Sequence, residues 1–97
     1  MTSFKLRLYI TGSTSQSIRA IENLKSICET ELPGLYEIEV IDVLEHPEMA
    51  ESEKILATPT LVKRLPEPVR KIIGDLSDRH KVLLGLDVER MNQREDS

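Results

Sequence analysis

The sequence predicts an α/β fold whose N-terminal half is a βαβ unit. Three observations carry that prediction. Lys5-Leu6-Arg7-Leu8-Tyr9-Ile10-Thr11 alternates at the period of a strand, with Leu6, Leu8 and Ile10 on one face. Ile18, Ile21, Leu24, Ile27, Cys28 and Leu32 then recur at spacings of three and four, which draws one apolar stripe along a helix. Tyr36 to Val43 follows as a second strand-like run.

Each element has local reasons. Tyr9, opposite the leucines, can bury its ring while its hydroxyl finds a polar partner. Gly12-Ser13-Thr14-Ser15 is turn and cap chemistry, and one of its hydroxyls should cap the first helix. Leu32-Pro33-Gly34 stops that helix. In the second strand Tyr36, Ile38 and Val40 share a face against Glu37 and Glu39, whereas Ile41 and Val43 make both faces apolar towards its end. A helical crossover between the two strands makes parallel pairing the default. His46-Pro47-Glu48 reads as the start of a short second helix ending near Ile55, with Pro47 at its first position and Glu48 and Glu51 near the positive end of its dipole.

Leu56-Ala57-Thr58-Pro59-Thr60-Leu61 is the pivot of the chain. Pro59 should open a strand rather than sit within a ladder, where its missing N–H would cost a hydrogen bond. The residues after it admit two arrangements. In one, Pro66-Glu67-Pro68 connects a hairpin, Val69 to Ile73 is an antiparallel strand, and Ser77 caps a C-terminal helix reaching about Met91, with Val82, Leu83, Leu86 and Arg90 inward. That is βαβαββα. In the other, Pro68 opens a helix through Ile73, Ser77 to Leu84 is a second helix stopped by Gly85, and Leu86-Asp87-Val88 is a short strand. That is βαββααβ. Gly85 inside a long helix costs about 1 kcal/mol relative to Ala, and Asp87 in its C-terminal half opposes the dipole. Local rules leave both arrangements open.

Composition bounds the function. The 97 residues make a single domain, 1–97, with a core over about residues 5–90 and a short polar tail at 91–97. The net charge of −4 and only three aromatics (Phe4, Tyr9, Tyr36) argue against a nucleic-acid partner. No apolar run is long enough to span a membrane and no secretory signal opens the chain, so a cytoplasmic protein is expected. Cys28, the one cysteine, lies on the apolar stripe far from the helix N-terminus, where packing rather than reactivity is expected. His46 has no second ligand at a recognisable spacing, so no metal or other cofactor is expected. No Ser-His-acid order or P-loop is visible, which argues against an enzyme. Lys54, Lys63, Arg64, Arg70 and Lys71 gather around the Pro59 hairpin; on composition alone this is a solvated face.

Two resemblances add to this. A Thr-Pro dipeptide opening a strand after a βαβ unit resembles the cis-proline loop of the thioredoxin-like fold. Thioredoxin chemistry would need two cysteines at the start of the first helix, and Gly12 to Ser17 has none. A binding module for a small thiol or peptide is the corresponding alternative function, and a sensor domain cut from a kinase is a third.

More specifically, Leu8-Tyr9-Ile10-Thr11-Gly12, Ser17-Ile18-Arg19-Ala20, Val40-Ile41-Asp42-Val43, Lys54-Ile55-Leu56-Ala57-Thr58-Pro59-Thr60-Leu61, Pro68-Val69-Arg70-Lys71-Ile72-Ile73-Gly74-Asp75-Leu76-Ser77 and Lys81-Val82-Leu83-Leu84-Gly85-Leu86-Asp87 resemble the circadian clock protein family KaiB. The resemblance implies a non-enzymatic regulator with two folds. The βαββααβ form would be the ground state expected in isolation, a homo-oligomer with a tetramer ahead of a dimer. The βαβαββα thioredoxin-like form would bind the N-terminal ATPase ring of a KaiC-like hexamer, in circadian timing or stress adaptation. It makes Arg19, Lys54, Lys63 and Arg70 candidate contacts to that partner, and Pro59, Gly85 and Asp87 candidate fold-switch positions. Cyanobacterial members carry a longer acidic C-terminal tail than Met91–Ser97, a departure that counts against a KaiA partner.

Overall fold

The structure is a computed structural model and describes residues 3–88. Strand β1 (Phe4–Ile10), helix α1 (Ser15–Glu31), strand β2 (Tyr36–Asp42), helix α2 (Pro47–Ser52), strands β3 (Thr60–Leu65) and β4 (Arg70–Ile73) and helix α3 (Arg79–Gly85) follow one another. The order is βαβαββα. The alternative βαββααβ order, expected of the chain by itself, is not the one held here. The deciding contact is non-local: β4 finds a partner in β3, running from Thr60↔Ile73 to Lys63↔Arg70. The sheet order is β2-β1-β3-β4. β1 pairs parallel with β2, as the crossover requires, and antiparallel with β3.

The two faces of the sheet bury different cores. Phe4, Leu6, Leu8 and Ile10 of β1 meet Ala20, Leu24, Ile27 and Cys28 of α1, with Leu61, Val82, Leu86 and Val88 closing the same core. On the opposite face Tyr9, Ile41, Ala50 and Val62 form a smaller core beneath α2. The pleat explains the division, because adjacent β1 residues point to opposite faces.

Thr14 is the N-cap of α1, its side chain accepting from the Ser17 amide. Ser17 itself is buried, and its hydroxyl accepts from the Thr11 amide at 3.1 Å. The inner face of α1 therefore begins at Ser17, and Ile18, placed on the apolar stripe by its spacing, is exposed. Pro47 opens α2 as expected, and α2 ends at Ser52, short of Ile55.

The second half carries two further differences from expectation. Asp78, not Ser77, caps α3, accepting from the Lys81 amide. The Ser77 amide instead donates to Asp75 Oδ1 at 3.1 Å, which closes a side-chain turn ahead of the helix. Gly85 is the last residue of α3 rather than an interior one, and Asp87 follows it in the left-handed region with φ +63°. The expected extension of this helix to Met91, with Arg90 inward, lies outside the described residues.

Candidate partner-docking face

The loop ends at the C-terminal edge of β1 form the cleft where the thioredoxin resemblance would put chemistry. The Thr58–Pro59 bond is cis and Pro59 is buried. The Pro59 carbonyl accepts from the Gly74 amide at 2.9 Å, so the loop opening β3 is tied to the loop leaving β4. The hydroxyls of Thr11 and Thr58 share a hydrogen bond across the cleft. Thr60 Oγ1 donates to the Ala57 carbonyl at 2.6 Å. No thiol stands here: Cys28 is fully buried in the α1 core, and burial pushes its pKa up to about 11, aided by Glu29. The cleft thus holds no thiol, the nucleophile that thioredoxin redox chemistry needs.

Beside it runs a groove of about 700 Å³ lined by Thr11, Val43, Ala50, Ile55, Leu56 and Thr58, with Glu51 and Lys54 at its rim. Two leucines stand out of the surface here. Leu44 is 69% exposed and Leu56 is 96% exposed.

The four candidate contact residues do not form one patch. Arg19 lies on α1, half-exposed, with Nε 3.4 Å from Asp75 Oδ2. Hydrogen bonds from Ser77 in the first place, and Arg19 in addition, hold the Asp75 carboxyl below its usual range. Lys54 is exposed immediately beyond α2, with φ +58°. Since α1 and α2 cover opposite faces of the sheet, Arg19 and Lys54 approach the cleft from opposite sides. Arg70 is on β4, with Nε 3.4 Å from Asp87 Oδ2.

Lys63 corrects the expectation of a surface contact. It is only 1% exposed, and its Nζ donates to the Leu86 carbonyl at 3.4 Å and to Asp87 Oδ2 at 3.2 Å. The register explains this. Lys63 pairs with Leu6 and shares the α1/α3 face with Leu61, whose neighbour on β1 is Leu8. Its ammonium is consumed inside the fold. The hydrogen bond from Lys63 chiefly, with Arg70 in addition, keeps the Asp87 carboxyl below its ordinary range.

Of the three candidate switch positions, Gly85 and Asp87 sit together at the end of α3. A Cβ on Gly85 would lie 2.7 Å from Ile72 Cδ1 and 2.9 Å from Cγ1. Alanine at this position therefore has to displace Ile72. Asp87, read from the sequence as opposing the dipole of a longer helix, is the counter-ion of Lys63 and Arg70.

Glu53 had no signal in the sequence, yet three strands converge on it. Its Oε1 accepts from the Tyr9 hydroxyl at 2.6 Å and from Arg7 Nη1. Arg64 Nη1 lies 4.0 Å away, and Lys71 Nζ donates to the Glu53 backbone carbonyl. Burial works against the Glu53 charge, but Tyr9 and Arg7 outweigh it and hold the carboxyl below its usual range. Burial, and donation to Glu53, raise Tyr9. Arg7 also donates from Nε to Glu39 at 2.8 Å.

Among the described residues no group of His, Cys, Asp or Glu could hold a metal ion, and no helix is long and apolar enough to cross a membrane.

Comparison with known proteins separates fold from family. The fold is similar to the N-terminal domain of SasA from Synechococcus elongatus, with 24% identity, a TM-score of 0.73, and coverage of 89% of this chain and 85% of that one. It is also similar to oxidized mitochondrial thioredoxin 3 from Saccharomyces cerevisiae, with 17% identity, a TM-score of 0.71, and coverage of 90% and 79%. In sequence the chain is 57% identical over 96 residues to the circadian clock oscillator protein KaiB of Microcystis aeruginosa, covering 97% of this chain and 92% of the relative. It is 58% identical over 95 residues to that of Trichodesmium erythraeum, covering 96% and 91%. The KaiB domain model matches residues 7–88, from Arg7 of the Glu53 junction to the Val88 that closes the α3 core, and by that match the chain belongs to the KaiB family.

Proposed function

We propose that the chain is a non-enzymatic regulator of a Kai-type system that docks, in its βαβαββα form, on the N-terminal ATPase ring of a KaiC-like hexamer. The family match over residues 7–88 carries this reading. The relatives named circadian clock oscillator proteins, which cover nearly the whole chain, support it. A cleft without a thiol agrees with binding rather than thiol chemistry. The process served is circadian timing or stress adaptation, in the cytoplasm.

In this reading the cleft end of the molecule faces the ring. Arg19 and Lys54 flank the cleft and steer an acidic surface, and Arg70 contributes from further along β4. The resting chain is a homo-oligomer, a tetramer ahead of a dimer, in the βαββααβ arrangement. Gly85, Asp87 and Pro59 mark where the two arrangements part. Nothing in this reading calls on KaiA.

Binding of the purified chain to an isolated N-terminal ring of a KaiC-like hexamer tests it. Saturable, salt-dependent association at micromolar concentration is expected. No association, together with capture of glutathione or an extended peptide at the Thr58–Pro59 loop, would replace it with the small-ligand module. The groove of about 700 Å³ beside that loop is what favours this second reading.

A further inference from the structure

We propose that Glu53 is a positioning residue for the docking face: it fixes the backbone that presents Lys54 and Leu56 beside the cleft. The inference rests on the docking reading for its purpose, but its physical content concerns the free chain.

The segment between α2 and β3 is anchored at both ends. At its far end Thr58 is bonded to Thr11, and the Ala57 carbonyl accepts from Thr60. At its near end stands Glu53, whose carboxylate is gripped by Tyr9 and Arg7 from β1, while Lys71 from β4 grips its carbonyl. Lys54 follows directly in a left-handed conformation that a lysine rarely adopts. Its amide donates to the Glu51 carbonyl at 3.1 Å, and the Ile55 amide donates to the Ala50 carbonyl at 2.8 Å.

The consequence is visible at Leu56. Its side chain is 96% exposed although an apolar groove it helps to line opens beside it. A mobile loop would let such a side chain fold into the groove, because burying apolar surface is favourable. The two anchors hold the backbone so that the side chain stands out. The bonds from Tyr9 and Arg7 to the Glu53 carboxylate are partly buried and charge-assisted, the stronger class of hydrogen bond, and they carry the near anchor. Lys71 belongs to the half of the chain for which the sequence admits two arrangements. Its bond to the Glu53 carbonyl therefore couples the posture of Lys54 and Leu56 to the formation of β4.

Amide hydrogen exchange on the full-length chain tests the positioning directly. Glu53→Ala should accelerate exchange at Lys54 and Ile55 by about 10- to 100-fold, the factor for losing one hydrogen bond to a charged group. Leu24 and Ile27 in α1 should be unaffected. Glu53→Gln should fall between, since its neutral carbonyl still accepts from Tyr9. Association with the ring, measured well below the thermal midpoint of each variant, should slow in the same order. Unchanged exchange at Lys54 and Ile55 would overturn the proposal, as would equal acceleration throughout the chain, which marks a merely structural role. If Glu53→Ala does not fold, Lys71→Met removes only the carbonyl bond. Local acceleration is again expected, and its absence again overturns the proposal. A wild-type chain that ignores the ring defeats the docking reading alone, because the exchange result is read without the partner.

Discussion

Lys63 puts a charge where the pleat of β3 would ordinarily put a leucine, between Leu61 on its own strand and Leu6 on the next. A buried ammonium is tolerable only with its counter-ion, and removing one member of such a pair costs about 3–5 kcal/mol. Lys63→Met keeps the reach of the side chain and deletes the charge. It should leave stability within about 1.5 kcal/mol of wild type, because Asp87 retains Arg70. Lys63→Glu sets a second carboxylate against Asp87 and should abolish the docking of α3. Urea denaturation followed by circular dichroism separates the two, and equal midpoints for both variants would show that Lys63 faces water. Leu61-Val62-Lys63-Arg64 gave no hint of this, since its two charges are adjacent and only the pairing with β1 decides which one turns inward.

Cys28, by contrast, was legible, because it stands on the α1 stripe. Cys28→Ser should lower stability by about 1–3 kcal/mol, as a hydroxyl enters an apolar core. The pH profile should decline on both sides. Cys28 is raised to about 11 from 9.0, so above pH 9 the unfolded chain gives up a proton that the folded chain retains. Stability therefore falls as the pH rises towards 11. Glu53, Asp75 and Asp87 are lowered, so the folded chain resists protonation and loses stability as the pH drops below about 4.5, the ordinary value for glutamate. A thermal midpoint that stays flat from pH 3 to pH 10 would contradict both shifts.

At the scale of elements, the βαβ half follows from local rules: alternation, one apolar stripe, a hydroxyl cap and a Pro-Gly stop. The second half does not, because Val69, Ile72 and Ile73 suit a helix and a strand equally. Pairing with β3 chooses the strand, and that contact is invisible to any short window. The end of α3 depends on the same pairing. Ile72 on β4 fills the space where Gly85 lacks a side chain. Gly85→Ala must push Ile72 aside, which offsets the helix-propensity gain of about 1 kcal/mol expected from composition. Ile72→Val removes the methyl nearest to the new Cβ and alone should cost about 0.5–1.5 kcal/mol. Combined, the two substitutions should cost less than their sum, with a coupling of about 0.5–3 kcal/mol, as for residues in contact. Strict additivity in a double-mutant cycle would mean that α3 does not rest on β4 in solution.

For the whole molecule, the question is which cations are free to meet a partner. The family resemblance put forward four of equal standing, and the fold sorts them by position. Arg19, early in α1, bonds Asp75 just beyond β4, and Lys54 rims the groove that Thr11 and Thr58 also line, so both stand at the cleft end. Arg70 is three residues back along β4 from Ile73, roughly 10 Å from that end, and its guanidinium engages the same Asp87 that neutralises buried Lys63. Charge reversal should therefore act in two distinguishable ways. Lys54→Glu and Arg19→Glu should slow association with an acidic ring surface severalfold at low ionic strength and flatten its salt dependence, with little change in thermal midpoint. Arg70→Glu places a carboxylate beside Asp87, so its first effect should be a lower midpoint, and any loss of association should track that loss of fold. Stopped-flow association across a salt series, paired with thermal melts, reads both axes. If Arg70→Glu slows association while its midpoint holds, the docking face extends along β4 rather than closing at the cleft. If Lys54→Glu and Arg19→Glu leave the low-salt rate unchanged, both residues belong to the solvated surface.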